Sequence, residues 1–232
     1  MIKVRKSEDR GHANYGWLDT YHTFSFANYY DPEYSSFRDL RVINEDRVAP
    51  KQGFGTHPHR DMEIISYVVS GVLGHRDSMG HAQEIKPGEV QVLTAGSGIT
   101  HSEYNHSQTE KTHFLQIWLV PKENDLTPRY DQKKFEDDEK RNNLKLIVSG
   151  DGRDDSLMIN QDVSLYASLL SDGNELSHTL EPFHYAWVQV ISGKLKVNGT
   201  SLTSGDGAAV IDESDLQIIA EDDSEFLLFE LA

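Results

Sequence analysis

No cysteine occurs anywhere in the chain. That excludes disulfides and thiolate ligands, so a transition metal could be held only by imidazole and carboxylate, and it favours a reducing, cytoplasmic setting. Long apolar runs are also missing, and nothing approaches the roughly 20 residues a membrane helix needs. The opening "MIKVRKSEDR" is charged but has no apolar stretch behind it, so no secretory leader is expected. Positive charge is scarce: 22 Lys and Arg face 38 Asp and Glu, a formal net charge of −16. Direct binding to nucleic acid phosphates needs clustered cations and is not expected. Much of the acidic excess sits in "KFEDDEKRNN" and "AEDDSE", which read as solvated connections.

What is present is β-structure. "LRVIN", "EIISYVVSG", "VQVLTAG", "HFLQIWLVP", "LKLIVSG", "AWVQVISG", "KLKVNG", "GAAVID", "LQIIA" and "EFLLFEL" are short, rich in β-branched or aromatic residues, and bounded by turn formers. Asn198-Gly199 predicts a two-residue hairpin, because both central positions of a type I′ turn need positive φ. One helical segment is expected within "TPRYDQKKFEDDEK", residues 127–140. The chain also echoes itself. "YVVSGVLG" then "KPGEVQVL" resembles "VQVISGKL" then "TSGDGAAVI", with Gly71 matching Gly193 and Gly88 matching Gly205. The expected architecture is all-β: two similar antiparallel, jelly-roll-like barrels joined by a short, partly helical linker. The expected boundaries are 1–130, 131–144 and 145–232.

The chemistry concentrates in two short stretches, "GTHPHRDME" and "GSGITHSEYN". Residues i and i+2 of a strand share a face, about 6.6–6.8 Å apart along it. His57 and His59 can therefore point to one side, as can His101 and Glu103. Three imidazoles and one carboxylate suit a divalent first-row metal, and in an octahedral sphere leave about two positions open. Either pair alone is a weak signal. Together, with glycines punctuating both stretches, they make a candidate site. Pro58 pushes His57 into the extended region, and its missing N–H predicts that the pair lies at an edge or at a strand's entrance.

Gly55-x-His57-x-His59-x3-Glu63-x7-Gly71 resembles the first cupin motif, and Gly88-x5-Thr94-x-Gly96-x4-His101-x3-Asn105 the second. The spacing before His57, the extra residue between Glu63 and Gly71, and Thr94 in place of the usual proline depart from the common form. Those departures, with "GHANYGWLDTYHTFSFANYYDP", "HRDSMG", "QIWLVP" and "TPRY", are similar to the pirin family, in particular bacterial members with quercetin 2,3-dioxygenase activity. The match is specific over the first 130 or so residues and weaker beyond.

The resemblance implies a bicupin with one divalent metal per chain, iron(II) favoured over Cu, Mn, Co, Ni or Zn. It implies His57, His59, His101 and Glu103 as ligands, with Glu103 also as general base. Glu63, the carboxylate that typical cupins would use, is the alternative ligand. The implied reaction opens the central ring of a flavonol with dioxygen and releases carbon monoxide. Alternative readings are a metal-containing regulator acting through protein partners, or another metal-cupin enzyme such as an isomerase. A monomer without membrane association is expected. The other eight histidines lack a matched partner pair. Ile218 and Ala220 fall where the first copy has His101 and Glu103, so no metal is expected in the second barrel. Phe24, Phe26, Phe54, Phe114 and Trp118 could line an apolar pocket, or simply form core.

Overall fold

The computed structural model describes residues 1–232. In chain order the strands are β1 (Ile2–Arg5), β2 (Gly11–Asn14), β3 (Leu18–His22), β4 (Leu40–Val48), β5 (Gly53–His59), β6 (Glu63–Ser70), β7 (Leu73–Asp77), β8 (Ala82–Ile85), β9 (Glu89–Thr94), β10 (Ile99–Tyr104), β11 (Thr112–Leu119) and β12 (Arg129–Lys134). After a single helical turn, α1 (Asp137–Lys140), come β13 (Lys145–Ser149), β14 (Leu157–Met158), β15 (Val163–Leu170), β16 (Glu175–Thr179), β17 (Tyr185–Ser192), β18 (Lys194–Val197), β19 (Thr200–Thr203), β20 (Gly207–Val210), β21 (Asp215–Ala220) and β22 (Ser224–Leu231).

These form two compact units. One holds Gly11–Lys134 with Ile159–Gln161; the other holds Met1–Arg10, Phe135–Met158 and Asp162–Ala232. Each is a seven-stranded sheet facing a four-stranded one. The first has orders β12-β9-β6-β11-β4-β3-β2 and β5-β10-β7-β8; the second has β1-β20-β17-β22-β15-β13-β14 and β16-β21-β18-β19. The expected bicupin is therefore present, and the internal echo in the sequence is a repeat of this two-sheet plan.

Alternation builds both interiors. Along β11, Phe114, Gln116 and Trp118 share one face; along β6, Ile64, Ser66 and Val68 do, and both sets meet in the first barrel. The second barrel is more uniformly apolar, with Val188, Val190, Leu195, Ile218, Phe226 and Leu228 buried together. Its hairpin between β18 and β19 turns on Asn198 (φ 44°) and Gly199 (φ 80°), the two positive φ values that the sequence required.

The sequence reading did not name several strands, β3 and the eight-residue β15 among them, and three further features differ from it. The helix expected over 127–140 shrinks to Asp137–Lys140, because Arg129–Lys134 pairs antiparallel with β9, from Arg129 opposite Thr94 to Lys134 opposite Glu89. Residues 131–134, expected as linker, thus belong to a sheet of the first barrel. The first ten residues group with the second barrel, where Ile2 to Arg5 pair with Val210 to Gly207.

Candidate metal centre and pocket

His57 and His59 close β5, an edge strand of its sheet, and His101 lies on β10 beside it. Pro58, with no N–H to give, is tolerated at that edge, as its chemistry requires. The pair lies at the strand's exit, however, and not at its entrance. The pairing runs His101 opposite His57, then slips so that Glu103 opposes Phe54. This bulge inserts one extra residue in β5 and turns both Phe54 and His57 towards the interior.

Donor nitrogens of His57, His59 and His101 lie within 4.8 Å of one another. His57 Nε2 and His101 Nε2 are 3.0 Å apart. Nitrogens about 2.1 Å from one ion at right angles would be separated by roughly that distance. His57 Nδ1–H donates to Gly55 O at 2.8 Å, which leaves Nε2 bare and fixes the ring. Burial, then the neighbouring imidazoles His57 and His59, push His101 down to about 2. Burial and His57 push His59 down to about 4. His59 and His101 are thus available in the neutral, ligating form at neutral pH. His59 Nε2 and His101 Nδ1 are buried without a partner. This donor set fits a divalent transition metal.

Glu103 shares the inward face of β10 with His101 and is buried. Its oxygens accept from Gln116 Nε2 at 3.0 and 3.2 Å, and Gln116 Oε1 in turn accepts from Ser66 Oγ at 2.9 Å. Burial pushes the Glu103 carboxyl up to about 7; Gln116 opposes that shift and nearby Asp46 adds to it. Glu63 lies elsewhere. The chain turns at Asp61 (φ 49°), so β6 does not continue the face of β5. Glu63 accepts instead from Thr94 Oγ1 at 2.9 Å and from Asn160 Nδ2 at 2.8 Å.

A cavity of ≈ 120 Å³ opens between the seven-stranded sheet and the cluster. His57, Glu103, Gln116, Asn44 and Asp46 give it polar points, while Leu18, Phe26, Phe54 and Trp118 give it apolar walls. Of the aromatics expected to line it, Phe24 and Phe114 are instead fully buried core. Trp118 packs edge-on against both His59 and Phe26, at 5.0 and 5.4 Å between ring centroids.

Sequence reasoning missed Asn44, Asp46 and Gln116, which carry no motif of their own. It also missed a support behind His101. His75 packs 5.3 Å from that ring and is held by Asp77 Oδ2 at 3.0 Å, and Asp77 also contacts His81 Nδ1 at 2.9 Å. In the second barrel Ile218 and Ala220, opposite Leu176 and beside Leu195, are buried among apolar side chains, with nothing to offer a cation.

Residues 3–119 match the Pirin family model, and residues 146–231 match the model for the quercetinase C-terminal cupin domain. The chain belongs to the pirin family. Its pirin relatives include "Quercetin 2,3-dioxygenase" of Escherichia coli K12, 48% identical over 231 residues that span 100% of this chain and 99% of that one. A "Pirin-like protein" of Caulobacter vibrioides is 38% identical, with 100% of both chains covered. Among solved structures, E. coli YhhW superposes with a TM-score of 0.97 at 48% identity, over 100% of this chain and 98% of that one. YhhW in complex with nickel(II) gives a TM-score of 0.95 at 48% identity, over 100% and 99% of the two chains. The pirin histidine cluster is a metal site.

Proposed function

We propose that this pirin is a metal-dependent dioxygenase that opens the central ring of quercetin-like flavonols with dioxygen and releases carbon monoxide. The observation that carries this reading is the full-length similarity to a quercetin 2,3-dioxygenase, in a chain whose histidine cluster faces a cavity with aromatic walls. Such walls suit a flat aromatic ligand.

His57, His59 and His101 would hold one divalent ion, with Glu103 as a fourth ligand and iron(II) as the first choice among Fe, Cu, Mn, Co, Ni and Zn. When bound, the ion supplies a Lewis acid that orients the flavonol 3-hydroxyl and favours its anion. The chain's own part is proton transfer and exclusion of water. A Glu103 oxygen accepts the hydroxyl proton, and a carboxyl pushed up to about 7 is well matched to that role near neutral pH. Gln116 keeps the carboxylate aimed throughout. Trp118 and Phe26 close one side of the cavity against solvent.

The test is to add quercetin aerobically to protein loaded with each of these metals. Loss of the flavonol with equal uptake of oxygen and release of carbon monoxide is expected. Absence of turnover with every metal overturns the reading.

A further inference from the structure

The interior face of β4 carries two polar residues in succession, Asn44 and Asp46, and both line the cavity. Asn44 is satisfied, since its Oδ1 lies 2.8 Å from His22 Nδ1. Asp46 is not. Its Oδ1 is buried with no partner at hydrogen-bond distance. Burial pushes the Asp46 carboxyl up to about 7, outweighing the nearby Thr20 hydroxyl, which draws it down. A buried carboxylate oxygen without a donor is costly, and proteins rarely tolerate one unless it has a task. Around it the walls are apolar, with Leu18, Phe26 and Phe54 bordering the same space. Across the cavity stand the histidine cluster and Glu103, which deal with one hydroxyl of a ligand.

We propose that Asp46 is a second recognition point of this pocket: its unpaired Oδ1 accepts a hydrogen bond from a substrate hydroxyl other than the one taken at the histidine cluster. The site would then select aromatics with two or more hydroxyls over those bearing a single enol hydroxyl. The proposal rests on the flavonol reading and deepens it. A pocket built to hydrogen-bond a hydroxyl rejects the analogue that lacks it, because the protein group is left buried and unpaired. Asp46 acts here on specificity, although its charge also adds to burial in keeping the Glu103 carboxyl up.

Quercetin and 3-hydroxyflavone are the probes, the second carrying only the hydroxyl meant for the histidine cluster. Their dissociation constants are measured on anaerobic, metal-loaded protein by the shift of flavonol absorbance, and their kcat and KM aerobically. The unaltered protein is expected to bind quercetin at least about tenfold more tightly. Asp46→Leu should shrink that ratio by about tenfold, through KM more than kcat, at unchanged metal content and melting temperature, whereas Asp46→Asn, which keeps an acceptor oxygen, should retain most of it. Asp46→Thr, which restores an acceptor, should recover part of it. An unchanged ratio in an Asp46→Leu variant that folds and holds metal overturns the assignment. Because the binding ratio is read without turnover, failure of the dioxygenase reading shows up separately, as binding of both flavonols without oxygen uptake.

Discussion

His101 meets the rest of the site from the middle of β10, facing His57 on one side and backed by His75 on the other. Its own Nδ1 has no partner, and its Nε2 faces only His57 Nε2. Replacing it by alanine removes one of three nitrogens, and two imidazoles on an edge strand hold a divalent ion far less well. His101→Ala is expected to lose bound metal, by a factor of 100 or more in affinity, together with any flavonol-degrading activity. The barrel should stay folded, because the neutral His101 forms no salt bridge. Elemental analysis after dialysis decides: stoichiometric metal in the variant would remove His101 from the ligand set. At this same scale the sequence was unevenly informative. Two histidines one residue apart announce a shared face, because strand alternation is local geometry. In "VINEDRV", by contrast, Asp46 looks like any surface acid. Only the register of β4 against β11 turns Asp46 inward while Glu45 pairs with Arg47 and His113.

The elements that deliver the ligands are held by close backbone approach. A Cβ on Gly53 would run into the backbone of Glu103 and Tyr104, which is why the start of β5 must be glycine if it is to lie against β10. Gly53→Ala should push β5, an edge strand free to move, away from β10. We expect metal affinity to fall about tenfold or more with little loss of secondary structure, measured by metal titration and circular dichroism. Unaltered affinity would mean that β5 adapts without moving its histidines. One of the strands missed in the sequence, β12, teaches a related lesson. "RYDQKK" is charged all along, as an exposed helix would be, yet it is the outermost strand of its sheet. Its partner β9 lies far upstream, and this edge strand leaves little periodic trace because neither of its faces is buried.

At the scale of the molecule, one sheet plan is used twice, and the histidine cluster lies in the first copy. The second barrel draws on the chain's beginning: β1 extends its sheet along β20, Ile2 and Val4 pack on its core, and Lys6 Nζ lies 3.0 Å from the buried Asp206 carboxylate. Deleting residues 1–6 should uncover the Gly207–Val210 edge and destabilise this barrel by at least about 2 kcal/mol, from lost apolar burial and lost hydrogen bonds. Calorimetry should show the lower transition, while elemental analysis still finds one metal equivalent per chain. Unchanged melting would show that β1 contributes nothing to the barrel's stability.

The sequence by itself determined the class of fold, its duplication and the three histidines, since alternation, turn chemistry and two short spacings all act within a few residues. Pro58 belongs to that record in part: its chemistry allowed an edge or a strand's entrance, and β5 is an edge, with the histidine pair at its exit. Which carboxylates face the cavity, that Glu63 turns away to Thr94 and Asn160, and that Asp46 Oδ1 lies beside the site without a partner were decided by tertiary structure. Those outcomes depend on strand register, on one bulge in β5 and on a turn at Asp61. Each sets a direction in space that no neighbouring residue specifies.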